Sequence, residues 1–136
     1  MKQLLKLAFI PVNIDVALLT LRVWLGIGLF LNHGVEKVVN FSAMQQHFPN
    51  PIGIGSTASL VAALIADAIC AVFIIAGLFT RFAALICTLN LFVAFAFLFR
   101  FSIAKPPGEI AFIYLGGFIA VLLAGAGKFS FDNKLK

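Results

Sequence analysis

Charge is what this chain most lacks. Of 136 residues, 11% are Asp, Glu, Lys or Arg, against about 25% in an ordinary soluble domain. Only five are acidic: Asp15, Glu36, Asp67, Glu109 and Asp132. Cysteine is scarce too. Cys70 and Cys87 stand 17 positions apart inside apolar runs, a spacing that makes no metal or redox motif. Two histidines, His33 and His47, lie in separate segments and make no metal site. No haem-attachment motif, Gly-rich phosphate loop or dinucleotide fingerprint is present. The net charge of +5 does not point to nucleic acid, because the basic residues are dispersed and no nucleic-acid motif accompanies them.

Apolar residues fill the space that charge leaves. The chain is 62% hydrophobic, with a mean hydropathy of +1.11. It contains 16 Phe and 11 Gly. Phe is cheap to expose to acyl chains, and Gly lets helices approach closely. Four apolar spans emerge, at about residues 16–32, 57–79, 82–101 and 109–127. Backbone groups cannot stay unpaired in lipid, so each span is expected to be helical. The strand-like alternation at Val93–Phe101 is overruled on the same ground. The expected fold is all-α: one domain over 1–136, an integral membrane four-helix bundle. The opening MKQLLKLAFIPVN lacks a small-residue cleavage site before the next span and reads as a juxtamembrane segment.

The connections differ in kind. Residues 34–56 form the longest, with a turn at Asn50–Gly53. Its Gln45, Gln46 and His47 are expected over one mouth of the bundle, and Phe41, Met44 and Phe48 at the membrane interface. Gly77–Arg81 is tight and makes spans two and three a hairpin. Pro106, Pro107 and Glu109 suit the start of the fourth helix. Lys2, Lys6, Arg81, Lys128, Lys134 and Lys136 fall on one side; Lys37, Arg100 and Lys105 fall on the other. The positive-inside rule then predicts cytoplasmic termini.

The first span carries the unusual residues. Asp15, Arg22, Gly26, His33 and Lys37 follow at intervals of 7, 4, 7 and 4. At about 100° per residue these share one narrow face. A charge near the bilayer centre costs roughly 3 kcal/mol, so the stripe is expected to look inward. Asn32, His33 and Gly34 are expected to end this helix. Arg22 and Asp67 are the candidate buried pair, read either as a lock on helix register or as a station on a proton or substrate path. His33, Lys37 and Glu109 are expected at the outer mouth, with two readings open: ordinary interfacial polarity, or a site for an anionic or quinone-like headgroup in which His33 titrates near neutral pH. Glu36, Arg100 and Lys105 read as interfacial. Asn90 is expected to bond across helices. Gly116 and Ala120 are expected on a packing face of the fourth helix. The cysteines read as small hydrophobes.

The chain resembles the DoxX family of small prokaryotic membrane proteins. The resemblance lies in LRVWLGIGLFLNHGVEK, GLFTRFAAL, GEIAFIYL and AGAGKFSFD, in order over Leu18–Asp132. It implies a four-helix bundle of the cytoplasmic membrane, and some relatives are subunits of a thiosulfate:quinone oxidoreductase. Where relatives commonly carry Glu in the second helix, this chain has Asp67. The reading that follows is a membrane subunit of a quinone-linked oxidoreductase, in thiosulfate, sulfur or other redox metabolism. Quinone is the one cofactor suggested. Besides the lipid bilayer, a redox partner protein or a second copy of the chain is expected, because no carrier of electrons is legible in the chain; whether the chain is itself catalytic is left open. Two rival readings are a non-catalytic scaffold of a membrane complex and a small transporter or conduit for an anion or metabolite.

Overall fold

The computed structural model describes residues 1–136. It is all-helical, and four long helices dominate it: α1 (Ile14–Val39), α2 (Ser56–Ala76), α3 (Thr80–Leu98) and α4 (Gly108–Ala124). The first three are long and apolar enough to cross a membrane, and α4 is a shorter apolar helix of 17 residues. Large apolar side chains face outward, among them Trp24 at 79% and Leu123 at 75% exposure. In water that surface would aggregate; in a bilayer it is the lipid-facing side. The chain is a multi-pass membrane protein.

α1 departs from the expected span. Asn32, His33 and Gly34 do not end it. They lie in a π-helical turn at Phe30–Gly34, and the helix runs on to Val39. Similar wide turns interrupt α2 at Ile65–Cys70 and α3 at Ala94–Leu98. Such turns shift backbone groups out of register and are common near functional sites. The inward stripe on α1 is as expected: Arg22, Gly26 and Lys37 are buried, and Asp15 and His33 are half-buried. On α4 the expected packing face is not the real one. Gly116 and Ala120 are exposed, whereas Ala111, Phe118 and Val121 are buried.

The bundle is closed at one end and split at the other. At the closed end all four helices pack around Leu25, Leu29, Ala71, Ile74, Ala83, Ala84 and Phe118. Polar contacts among the connections fasten this end. The Asp15 carboxylate accepts from the Lys128 amide at 2.9 Å, which ties the start of α1 to the segment after α4. Asp132 accepts from the Phe79 and Thr80 amides at 2.7 and 2.8 Å, capping α3 from the C-terminal segment. Toward the other end, α1 stays with α2 and α3 stays with α4, and the two pairs diverge. The segment Phe48–Ile54 lies over the gap between them. Asn50 fixes that segment to the start of α2: its side-chain oxygen accepts from the Gly55 amide at 3.0 Å and from the Ser59 hydroxyl at 3.3 Å.

Candidate functional site

Arg22 and Asp67, expected as partners, do not meet. Arg22 is 1% exposed and sits at the closed end. Its guanidinium donates to the carbonyls of Ile74 (3.0 Å), Ile75 (2.6 Å), Ala126 (3.1 Å) and Phe129. Ile74 and Ile75 belong to the last turn of α2, and the other two follow the end of α4. The last four carbonyls of any helix lack intrahelical partners, and the C-terminal end carries partial negative charge. Arg22 therefore caps the end of α2 from inside the bundle and ties the segment after α4 to it. The planar fork of donors suits several carbonyls at once. Gly77 makes room for it. Gly77 has φ of 74°, and a Cβ there would stand 2.8 Å from Arg22 Nη1 and 2.5 Å from Ser130 Cβ.

Asp67 pairs with Lys37 instead. Lys37 Nζ lies 2.7 Å from Asp67 Oδ2, with both side chains almost wholly buried. The same Nζ donates to the His33 carbonyl at 3.0 Å. The other oxygen of Asp67 accepts from Asn90 Nδ2 at 3.2 Å, so Asn90 does bond across helices. The result is a connected group spanning three helices: His33 and Lys37 on α1, Asp67 on α2, Asn90 on α3. Pairing with additional hydrogen bonds is what a buried ion pair needs to offset desolvation. Gly34 permits it, since a Cβ at Gly34 would collide with the Asp67 carbonyl. The π-turns of α1 and α2 meet at this contact.

This group forms the polar floor of a cavity of about 410 Å³, within the ~300–1,000 Å³ typical of small-molecule sites. The cavity occupies the split between the two helix pairs. Its walls are apolar: Ala62 and Ala63 from α2, Ile86, Leu89 and Val93 from α3, and Ile110 and Ala111 from α4. Phe48, Pro49, Pro51, Ile52 and Ile54 line it from the long connection. Leu89 is both a wall residue and 56% exposed, and the cavity opens at the bundle surface. Tyr114 lines the wall as well, its ring 6.2 Å from that of His33 and edge-on to it at 88°.

The three expected outer-mouth residues therefore divide. His33 and Lys37 line the cavity. Glu109 does not; it is exposed at the first turn of α4. Asp67 supplies the carboxylate that Glu109 was expected to supply. The aromatic and proline residues of the connection line the cavity, whereas Gln45, Gln46 and His47 do not. Tyr114 was missed as a member of the site, and Asn90, expected to bond across helices, was not expected to line a cavity. The signal for Asn90 was available, because it is the sole amide on an apolar helix three residues from Cys87.

Residues 17–100 match the DoxX family model. The matched stretch holds His33, Lys37, Asp67 and Asn90, and stops before GEIAFIYL and AGAGKFSFD. Neither a curated protein nor a solved structure matches the chain. A match over 84 of 136 residues (17 through 100) is more than half of the sequence, and it spans the helices that build the cavity floor: this chain belongs to the DoxX family.

Proposed function

We propose that this protein is the membrane subunit of a quinone-linked oxidoreductase, and that its cavity holds an uncharged, lipid-soluble amphiphile of the quinone class. One observation carries the reading: an apolar crevice reaching the lipid side ends on a polar floor whose charges cancel. Lys37 and Asp67 offset each other at 2.7 Å. A free anion such as a sulfur oxyanion would meet apolar walls, a carboxylate and no uncompensated cation, so its desolvation would go unrewarded. A quinone head needs only hydrogen-bond partners for its carbonyls. The ammonium of Lys37, the amide of Asn90 and the ring of His33 offer such partners, while Ile86, Leu89 and Val93 give an apolar tail a course outward. The His33 ring is the group suited to exchange a proton with the bound head.

The quinone supplies two-electron acceptance when bound; the chain's residues hold and orient it. Electrons must come from a partner protein. The packed core between the cavity and the closed end argues against an open conduit. The closed end bears Lys2, Lys6, Arg81, Lys128, Lys134 and Lys136. The split end has only Arg100 and Lys105 outside the Lys37 pair. By the positive-inside rule, both termini face the cytoplasm and the cavity lies toward the opposite leaflet of the cytoplasmic membrane.

The test is to reconstitute the purified protein in lipid nanodiscs, extract it, and quantify retained quinone by mass spectrometry. A short-chain quinone is then titrated into extracted protein. Saturable binding that Lys37→Met and Asp67→Asn weaken is expected. Co-purifying subunits with no retained or rebinding quinone would favour the scaffold reading instead.

A further inference from the structure

A second cavity opens at the closed end and measures about 800 Å³. It lies where the start of α3, the end of α4 and the segment after α4 converge. Three cations line it: Arg81 from α3, and Lys128 and Lys136 from the C-terminal segment. Two acids, Asp15 and Asp132, line it too, but neither answers those cations. Asp132 directs both oxygens to the Phe79 and Thr80 amides, and Asp15 accepts from the Lys128 amide. The one ion pair in the chain is Lys37–Asp67, so no carboxylate stands within 4.0 Å of the side-chain nitrogens of the three cations.

Arg81 is fixed at this cavity by one nitrogen. Its Nε donates to the Leu122 carbonyl, in the last turn of α4, at 3.0 Å. That leaves both Nη groups without a protein partner, and such a fork matches two oxygens of a phosphate. Other lining residues are apolar and face outward. Phe79, Phe82 and Leu123 belong to the same cavity and are 59%, 65% and 75% exposed. Cations and exposed apolar side chains thus share one opening. α3 begins at Thr80 and α4 ends at Ala124, so the opening lies where the helices leave the bilayer. Headgroup phosphates sit at that depth, and acyl chains begin there. The first cavity has charges that cancel; this one has cations that nothing offsets. A free anion would use the cations and leave the apolar residues uncovered, whereas a phospholipid uses both.

We propose that this cavity binds an anionic phospholipid. Its phosphate sits between Arg81 and Lys128, and its acyl chains run over Phe79, Phe82 and Leu123. The chemistry recognised is a phosphate group, and the apolar residues assign it to a lipid rather than to free phosphate. Basic pockets at the ends of membrane helices on the cytoplasmic side suit such headgroups. A lipid held there bridges the start of α3 to the segment after α4, the two parts that Asp132 also joins, and so fastens the closed end further. The two cavities share no residue, so the inference is independent of the quinone reading.

The experiment uses full-length protein stripped of lipid in detergent and titrated with dioleoyl phosphatidylglycerol. Binding is read by native mass spectrometry and stability by thermal melts. Phosphatidylcholine with the same chains and inorganic phosphate are the comparisons. The expected result is one saturable phosphatidylglycerol that raises the melting temperature, weaker binding of phosphatidylcholine, and no displacement by excess inorganic phosphate. Lys128→Gln should weaken phosphatidylglycerol binding about five-fold, as for one lysine near an anionic headgroup. Arg81→Gln should weaken it more. Lys128 is exposed, so its variant still decides the matter if Arg81→Gln is unstable. Lys134→Gln removes the same charge from the same end, but Lys134 Nζ lies 5.4 Å over the Phe131 ring and the residue does not line the cavity; this variant should bind like the parent. Equal losses from Lys128→Gln and Lys134→Gln would reduce the site to the general charge of this end and overturn the proposal. Equal affinity for the two phospholipids also overturns it, as does displacement of the lipid by inorganic phosphate, which would mean a site for the ion alone. None of these outcomes changes quinone binding in the first cavity.

Discussion

Lys37 Nζ sits 2.7 Å from Asp67 Oδ2 and 3.0 Å from the His33 carbonyl, so one ammonium joins α1 to α2 and is held by both. Removing one member leaves a buried charge without its partner, at a cost of roughly 3–5 kcal/mol. Lys37→Met and Asp67→Leu should each lower thermal stability in detergent by that order. The double variant should recover a large part of it. A double-mutant cycle with no coupling between the two positions would show that the pair contributes nothing.

Arg22 belongs to a different structural unit, and its variants should behave accordingly. Arg22→Leu strips the carbonyls of Ile74, Ile75, Ala126 and Phe129 of their donor. A buried unpaired polar group costs about 1–3 kcal/mol, so the loss should exceed that of a single broken hydrogen bond. Arg22→Lys should restore only part, because an ammonium cannot reach four carbonyls as the fork does. Combined with Asp67→Asn, the losses should add to within about 0.5 kcal/mol, as for sites with no shared partners. Strong coupling in thermal melts would restore the pairing expected from the sequence.

The helices and the inward stripe were legible because lipid imposes simple rules: apolar length, paired backbone and hidden charge. The partners of the stripe were not. Helical spacing puts Arg22 and Lys37 on one face but says nothing about which neighbouring residue stands at each level. The end of α2, at Ile74 and Ile75, stands at the level of Arg22, so Asp67 lies about two turns higher, where α1, running on beyond Asn32, brings Lys37 to it. Arg22 was misread for a related reason. Its partners are backbone carbonyls, two at the end of α2 and two in the segment after α4, which no side-chain pattern reveals. Glu109 was misplaced because an acid at a helix start has a dipole to serve and needs no site.

Gly34 is the contact on which the floor depends. A Cβ at this position would press on the Asp67 carbonyl and the Ala68 backbone, neither of which can yield as a flexible side chain would. Gly34→Ala should force α1 from α2 at the π-turns and part Lys37 from Asp67. The expected outcome is a loss of quinone binding larger than that of Gly116→Ala, whose Cβ meets nothing within 4 Å. Equal binding in the two variants would show that the approach of the helices at Gly34 does not matter.

Asp132 gives a pH dependence with a definite sign. Burial tends to raise its carboxyl pKa, but bonds from Thr80 and Phe79 and the charge of Arg22 outweigh that and hold it below the usual value. A carboxyl whose folded pKa is depressed stabilises the fold fully above its unfolded pKa of about 3.9. That stabilisation fades as the pH falls through the lower folded value. Asp132→Asn should therefore be less stable than the parent at neutral pH, and the gap in melting temperature should shrink on acidification to about pH 3. A gap that stays constant or widens would remove Asp132 as an ionised cap.

The cavity residues and Glu109 make the sharpest contrast, because sequence spacing grouped them and the fold separates them. His33 is half-buried, lines the cavity, and offers a ring nitrogen beside Tyr114. Lys37 lines it too, but is also needed for the fold, so its loss confounds binding with stability. His33→Ala removes a cavity-facing group without leaving a buried charge, and is the cleaner probe. It should weaken quinone binding by about ten-fold, the equivalent of one net hydrogen bond of about 1.4 kcal/mol, while melting close to the parent. His33→Gln should recover part of the binding, since an amide can still donate. Glu109→Gln should leave the affinity unchanged, because its side chain is exposed and away from the cavity. Titration of the four proteins in nanodiscs separates the outcomes. If Glu109→Gln loses binding while His33→Ala keeps it, the ligand lies at the outer rim rather than on the Lys37–Asp67–Asn90 floor, and the crevice is a packing gap between two helix pairs.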